Sequence, residues 1–129
     1  METKQVLSID QMKHLQELGL DTSDASMCWC SFIGNIDEEW ELEIYEDVIN
    51  QKRDSTFWEI VPTYTLQDIL DKLPPSINWN PLIIVGNSVM YSAGYGEGYD
   101  HPIKVFKEES LLESAYKMLL WIIEQNFFR

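Results

Sequence analysis

Basic residues are scarce in this chain. Nine Lys and Arg stand against 22 Asp and Glu, a formal net charge of -13, and a surface of that sign repels DNA, RNA and anionic lipid. The composition therefore excludes direct nucleic-acid binding and electrostatic attachment to a membrane. Cysteine is scarcer still, at two in 129 residues, too few for the disulfide framework of a small secreted domain. No stretch approaches the roughly 18 consecutive apolar residues of a membrane span. Met1-Glu2-Thr3-Lys4-Gln5 lacks the basic start and apolar run of a signal peptide, so the expected setting is cytoplasmic. Six Gly and five Pro are too few for a collagen-like or low-complexity chain.

What the chain does have is core material. Hydrophobic residues make up 45% of it, including five Trp, six Tyr and five Phe. A chain of this length buries roughly two-thirds of its unfolded surface, enough for one globular domain over residues 1–129 without a metal or a disulfide.

Ser8 followed by Gln11 is a capping-box pattern, and Ile9, Met12, Leu15 and Leu18 recur at helical spacing up to Gly19. Leu20 is then the apolar residue that folds back on the last turn. Met27 to Ile33 reads as a strand. Trp40, Leu42 and Ile44 alternate with Glu39, Glu41 and Glu43, which predicts a half-buried strand with its apolar set inward and its carboxylates in water. Asp47 to Ser55 reads as a loop, and Thr56 to Val61 as a strand stopped by Pro62.

Thr65 and Asp68 repeat the cap pattern ahead of Leu66, Ile69, Leu70 and Leu73. Leu82 to Val85 and Val89 to Ala93, joined through Gly86-Asn87-Ser88, read as a hairpin. Ile103 to Phe106 is a last strand, and Ser110 with Glu113 opens a broad apolar helix containing Leu111, Leu112, Ala115, Met118, Leu119 and Ile122. Short turns between successive strands favour antiparallel pairing. The expected fold is α+β: a mostly antiparallel sheet of about five or six strands with three helices packed on one face.

The densest charge lies at 37–47, with seven acids and no base in eleven residues. A strand showing Glu39, Glu41 and Glu43 at period two presents a negative ladder that suits a basic protein partner or imitates a phosphate backbone. The same pattern also serves as a solvated edge that resists aggregation. Cys28 and Cys30 sit two apart on one strand face, where a bridge between them is strained, so they read as buried free thiols. With His14 and His101 they make a Cys2His2 count, but Cys-x-Cys is not zinc-knuckle spacing, and no metal or other cofactor is expected. The loop from Gly94 to Pro102 offers Tyr95, Glu97, Tyr99, Asp100 and His101 to a small ligand. Its glycine spacing is not that of a phosphate loop, and no nucleophile pairs with it. No catalytic residue is assigned. Trp79, in Ile77-Asn78-Trp79-Asn80-Pro81, falls in a loop and is the expected exposed aromatic anchor. The oligomeric state is open.

The stretches Lys4 to Gly19, Asp21 to Trp29, Ile60 to Leu70 and Glu108 to Tyr116 together resemble a group of small uncharacterised proteins of anaerobic gut bacteria and their phages or mobile elements. The resemblance spans most of the chain and transfers no activity. It implies a cytoplasmic bacterial setting with a link to mobile elements. Three functions follow in order of expectation: a non-enzymatic protein–protein interaction module, a DNA-mimic inhibitor of a nucleic-acid-binding protein, and a small ligand-binding or enzymatic domain using the Gly94 to Pro102 loop.

Overall fold

Ser8, Gln11, Gly19 and Leu20 behave as their spacing predicts. In the computed structural model, which describes residues 6–33, 39–53, 56–92 and 103–126, Ser8 Oγ accepts from the Gln11 N–H and Gln11 Oε1 accepts from the Ser8 N–H. This reciprocal cap starts α1 (Ile9–Glu17). Gly19 takes φ +96, which lets its N–H reach the Gln16 carbonyl and the Leu20 N–H reach that of Leu15, a Schellman ending.

The chain divides into two units, Met1–Asp68 and Ile69–Arg129. In the first, β1 (Met27–Phe32) is the middle strand of an antiparallel sheet, between β2 (Glu41–Ile44) and β3 (Trp58–Thr63). α1 and the segment leading into it lie on the face that carries Trp29, Val61 and Thr63. Trp29 Nε1 and Thr63 Oγ1 both donate to the Leu7 carbonyl, at 3.0 and 2.7 Å. The opposite face carries Cys28, Cys30 and Ile60, covered by α2 (Tyr45–Gln51) through Tyr45 and Val48.

The second unit holds an antiparallel sheet in the order β4 (Ser76–Ile77), β5 (Asn80–Val85), β6 (Ser88–Tyr91), β7 (Lys104–Lys107). The helix α4 (Leu111–Glu124) lies against β6 and β7. It buries Leu112, Ala115, Met118, Leu119 and Ile122, while Val89 and Tyr91 of β6 are fully buried as well. Ser110 Oγ accepts from the Glu113 N–H at its start. The division between the units falls inside α3 (Leu66–Lys72). Among the described residues, no helix is long and apolar enough to cross a membrane.

The fold is α+β, but its finer plan differs from the expected one. The described residues form two antiparallel sheets of three and four strands and four helices, not one sheet of five or six strands with three helices. The added helix, α2, occupies part of the segment read as a loop. Glu46 and Asp47 lie in its first turn, where they favour the positive end of the helix. It begins at Ile44 without a side-chain cap, directly off a strand, so no start signal marks it. β3 continues through Pro62 to Thr63 because it is an outer strand, where the missing N–H faces away from the ladder. β4 lies where the sequence predicts no strand, its Ile77 within the loop expected around Trp79. It exists as the short first arm of a hairpin, pairing Ser76 with Pro81 and Ile77 with Asn80.

Candidate functional site

The β4–β5 hairpin turns through two residues, Asn78 and Trp79, with φ +50 and +70. Positive φ at both central positions is the mark of the type I′ turn, whose twist matches the strands it joins. Asn tolerates that conformation and Gly prefers it, whereas a bulky side chain adopts it at a cost. Here the second position is Trp79, and its side chain gains nothing in return, because the residue is 95% exposed. The turn is braced independently of the indole. Asn80 Nδ2 donates to the carbonyls of Ile77 and Asn78 at 3.1 Å, and the Leu82 N–H donates to the Pro75 carbonyl at 3.0 Å. The hairpin backbone is thus fixed and projects the aromatic side chain into water. The residue expected to be an exposed anchor is exposed. The strained turn beneath it was hidden in the sequence, since Asn-Trp lacks the Asn-Gly signal that usually announces such a hairpin.

The acidic strand is built differently from the expected ladder. The register pairs Glu43 with Cys28 and Glu41 with Cys30, so both carboxylates lie on the face of the buried thiols, while Leu42 and Ile44 lie on the other face. β2 is an outer strand, and Leu42 and Ile44 remain exposed, at 39% and 52%. The expected inward set is therefore largely in water. Glu39 and Glu41 are exposed, but Glu43 is half-buried and engaged. Arg53 grips it with two parallel bonds, Nη1 to Oε2 at 2.7 Å and Nη2 to Oε1 at 2.8 Å. Arg53 Nε donates to Gln51 Oε1, and its guanidinium lies 4.6 Å from the centre of the Trp58 ring. The Arg53 bonds hold the Glu43 carboxyl below its ordinary range. Lys52, in the left-handed conformation at the end of α2, turns the chain so that Arg53 faces back to β2. Sequence reading missed this clamp. Its only signal was a lone Arg just beyond an acid-rich strand.

Beneath the clamp, Cys28 and Cys30 are both free and buried, with their sulfurs 3.5 Å apart. Burial raises both thiols, Cys30 to about 12. They are protonated at neutral pH and carry no nucleophile. His14 lies exposed on α1. Among the described residues, no group of three His, Cys, Asp or Glu side chains is arranged to hold a metal ion. The Gly94 to Pro102 loop, with Tyr95, Glu97, Tyr99, Asp100 and His101, lies outside the described residues. No family model matches the chain, and neither a curated protein nor a solved structure is significantly similar to it.

Proposed function

We propose that the chain is a non-enzymatic protein–protein interaction module that anchors its partner through Trp79. The observation that carries this reading is the indole at 95% exposure on a left-handed residue of a braced two-residue turn. A large aromatic held out in water by a fixed backbone is expensive to keep and well suited to fill an apolar pocket, because a Trp side chain offers large contact area for only two rotatable angles. Local strain of this kind is retained where it serves a site. The Met1–Asp68 unit holds 15 of the 22 acids and 4 of the 9 bases, which favours approach to a basic partner over long range. The two protonated thiols suit a reducing, cytoplasmic setting, and the resemblance to proteins of gut bacteria and their phages points to a bacterial or phage partner. The DNA-mimic reading has less support, since Arg53 occupies Glu43 and interrupts the row of carboxylates.

The test is capture from bacterial lysate with four forms of the protein. Trp79→Ala removes the anchor, Trp79→Phe keeps an aromatic ring, and the double variant Glu39→Lys with Glu41→Lys reverses the exposed acids. A partner retained by wild type and Trp79→Phe but lost with Trp79→Ala supports the reading. Equal retention by Trp79→Ala and wild type refutes it. Loss in the charge variant alone transfers the contact to the acidic strand.

A further inference from the structure

β2 is an outer strand, and β1 is its neighbour. The bond from the Tyr45 N–H to the Ser26 carbonyl, one pair beyond Met27 and Ile44, fixes which of its backbone groups are used. Bonded and unbonded pairs alternate along an antiparallel ladder, so Glu43 and Glu41 bond to their partners Cys28 and Cys30. The N–H and C=O of Leu42 and the N–H of Ile44 then point the other way, out of the sheet edge. The Ile44 carbonyl belongs to the start of α2. That helix covers the thiol face through Tyr45 and Val48, so it lies over the sheet and leaves the edge at Leu42 open.

Side chains along this edge are sorted by face. Leu42 and Ile44 are exposed on the face that holds Trp29, and Glu41 is exposed on the other. Acids surround them: Glu39 precedes the strand, and Glu46 and Asp47 follow it in the first turn of α2, all exposed. Among the described residues, none of these four carboxylates is in an ion pair. Lys52 and Arg53 are the bases nearest in sequence, and Arg53 is engaged by Glu43. Charge of one sign keeps a second copy of this chain away, because acids would meet acids across the new pair. It does not keep away a strand of the opposite charge.

We infer that β2 takes up an extended basic segment of a partner protein as a further strand. Directly opposed residues of paired strands share a face. The segment therefore sets apolar side chains beside Leu42 and Ile44 and alternates them with Lys or Arg beside Glu41 and its acidic neighbours. Main-chain bonds at Leu42 and Ile44 supply the pairing, and the carboxylates select the sign of the partner. This contact uses residues of the Met1–Asp68 unit alone and does not rest on the reading of Trp79.

The probe is a peptide of about eight residues alternating Lys and Val, compared with a peptide of the same composition whose lysines form one block. Calorimetric titration at low salt gives the affinities, and hydrogen exchange followed residue by residue gives the place. Wild type is expected to bind the alternating peptide roughly tenfold or more tighter than the block peptide, and less tightly as salt is added. The Leu42 amide is expected to exchange more slowly as the peptide binds. Glu39→Lys with Glu41→Lys sets like charges side by side and is expected to weaken binding roughly tenfold or more. Leu42→Pro removes a donor that β1 does not use, as an outer strand tolerates, and is expected to abolish binding with an unchanged circular dichroism spectrum. Trp79→Ala is expected to bind as wild type does. The inference is overturned if wild type binds neither peptide, if it binds both equally, or if the Leu42 amide exchanges freely in the complex. Loss of binding in Trp79→Ala overturns it too, since the contact then lies at the hairpin. Should Leu42→Pro fail to fold, the charge variant and the exchange measurement on wild type decide the matter.

Discussion

Replacing Trp79 with glycine should stabilise the fold while removing its proposed anchor. The residue sits at φ +70, where a side chain with a Cβ costs roughly 1–2 kcal/mol relative to the right-handed regions. Glycine escapes that cost, but its freer unfolded chain returns roughly 0.5–1 kcal/mol. The indole is 95% exposed, so its removal forfeits almost no buried apolar surface. The balance is a gain of about 0.5–1 kcal/mol, which for a chain of this size raises Tm by about 2–4 °C. Trp79→Ala keeps the Cβ and should leave stability near the wild-type value. Trp79→Asn should fall between the two, since Asn adopts the left-handed region more readily. The assay is urea unfolding followed by far-ultraviolet circular dichroism, because removing a tryptophan alters the fluorescence baseline. A higher midpoint at constant m locates the effect in stability rather than in denatured-state compactness. A glycine variant destabilised by about 1 kcal/mol or more would refute the reasoning, since the indole must then make contacts within the fold.

Three further outcomes follow from particular contacts. Glu43→Gln should cost about 1 kcal/mol at neutral pH, the worth of a charge-assisted pair reduced by its partial exposure. Because Arg53 lowers the folded carboxyl below its ordinary 4.5, that contribution is present above the ordinary value and disappears as pH falls through the lowered one; urea midpoints of variant and wild type should therefore converge in acid. Cys28 and Cys30 should resist a thiol reagent at neutral pH in the folded protein and react together once urea unfolds it. Since burial raises both thiols above 9.0, with Cys30 near 12, the unfolded chain ionises first, and stability should fall as pH rises beyond about 9. Asp68→Ala should cost about 2 kcal/mol in urea unfolding, because it removes the bond that the carboxylate accepts from the Thr65 N–H and the two bonds from Ser26.

The parts of this protein that were legible in advance are those decided by residues a few positions apart. Ser8 with Gln11, Thr65 with Asp68 and Ser110 with Glu113 mark helix starts because a side chain reaches only the next turn. The hairpin at Gly86 was legible because glycine at the first central position, at φ +57, suits a two-residue turn. Trp79 could be read as exposed because Asn and Pro around it leave it no helical or strand face to join.

Other features depended on partners distant in the chain. Nothing near Glu43 says that its face is the buried one. Pairing with Cys28 and the return of Arg53 across α2 decide that, and they leave Leu42 and Ile44 in water although their alternation predicts the reverse. The left-handed strain at Trp79 likewise arises only when Ile77 pairs with Asn80 and forces a two-residue turn on a sequence without glycine. Charge, helix starts and the exposed aromatic were thus determined by composition and near neighbours. Sheet membership and the buried face of β2 were decided by tertiary pairing, because a strand's period of two says that its faces differ but not which one the rest of the chain will cover.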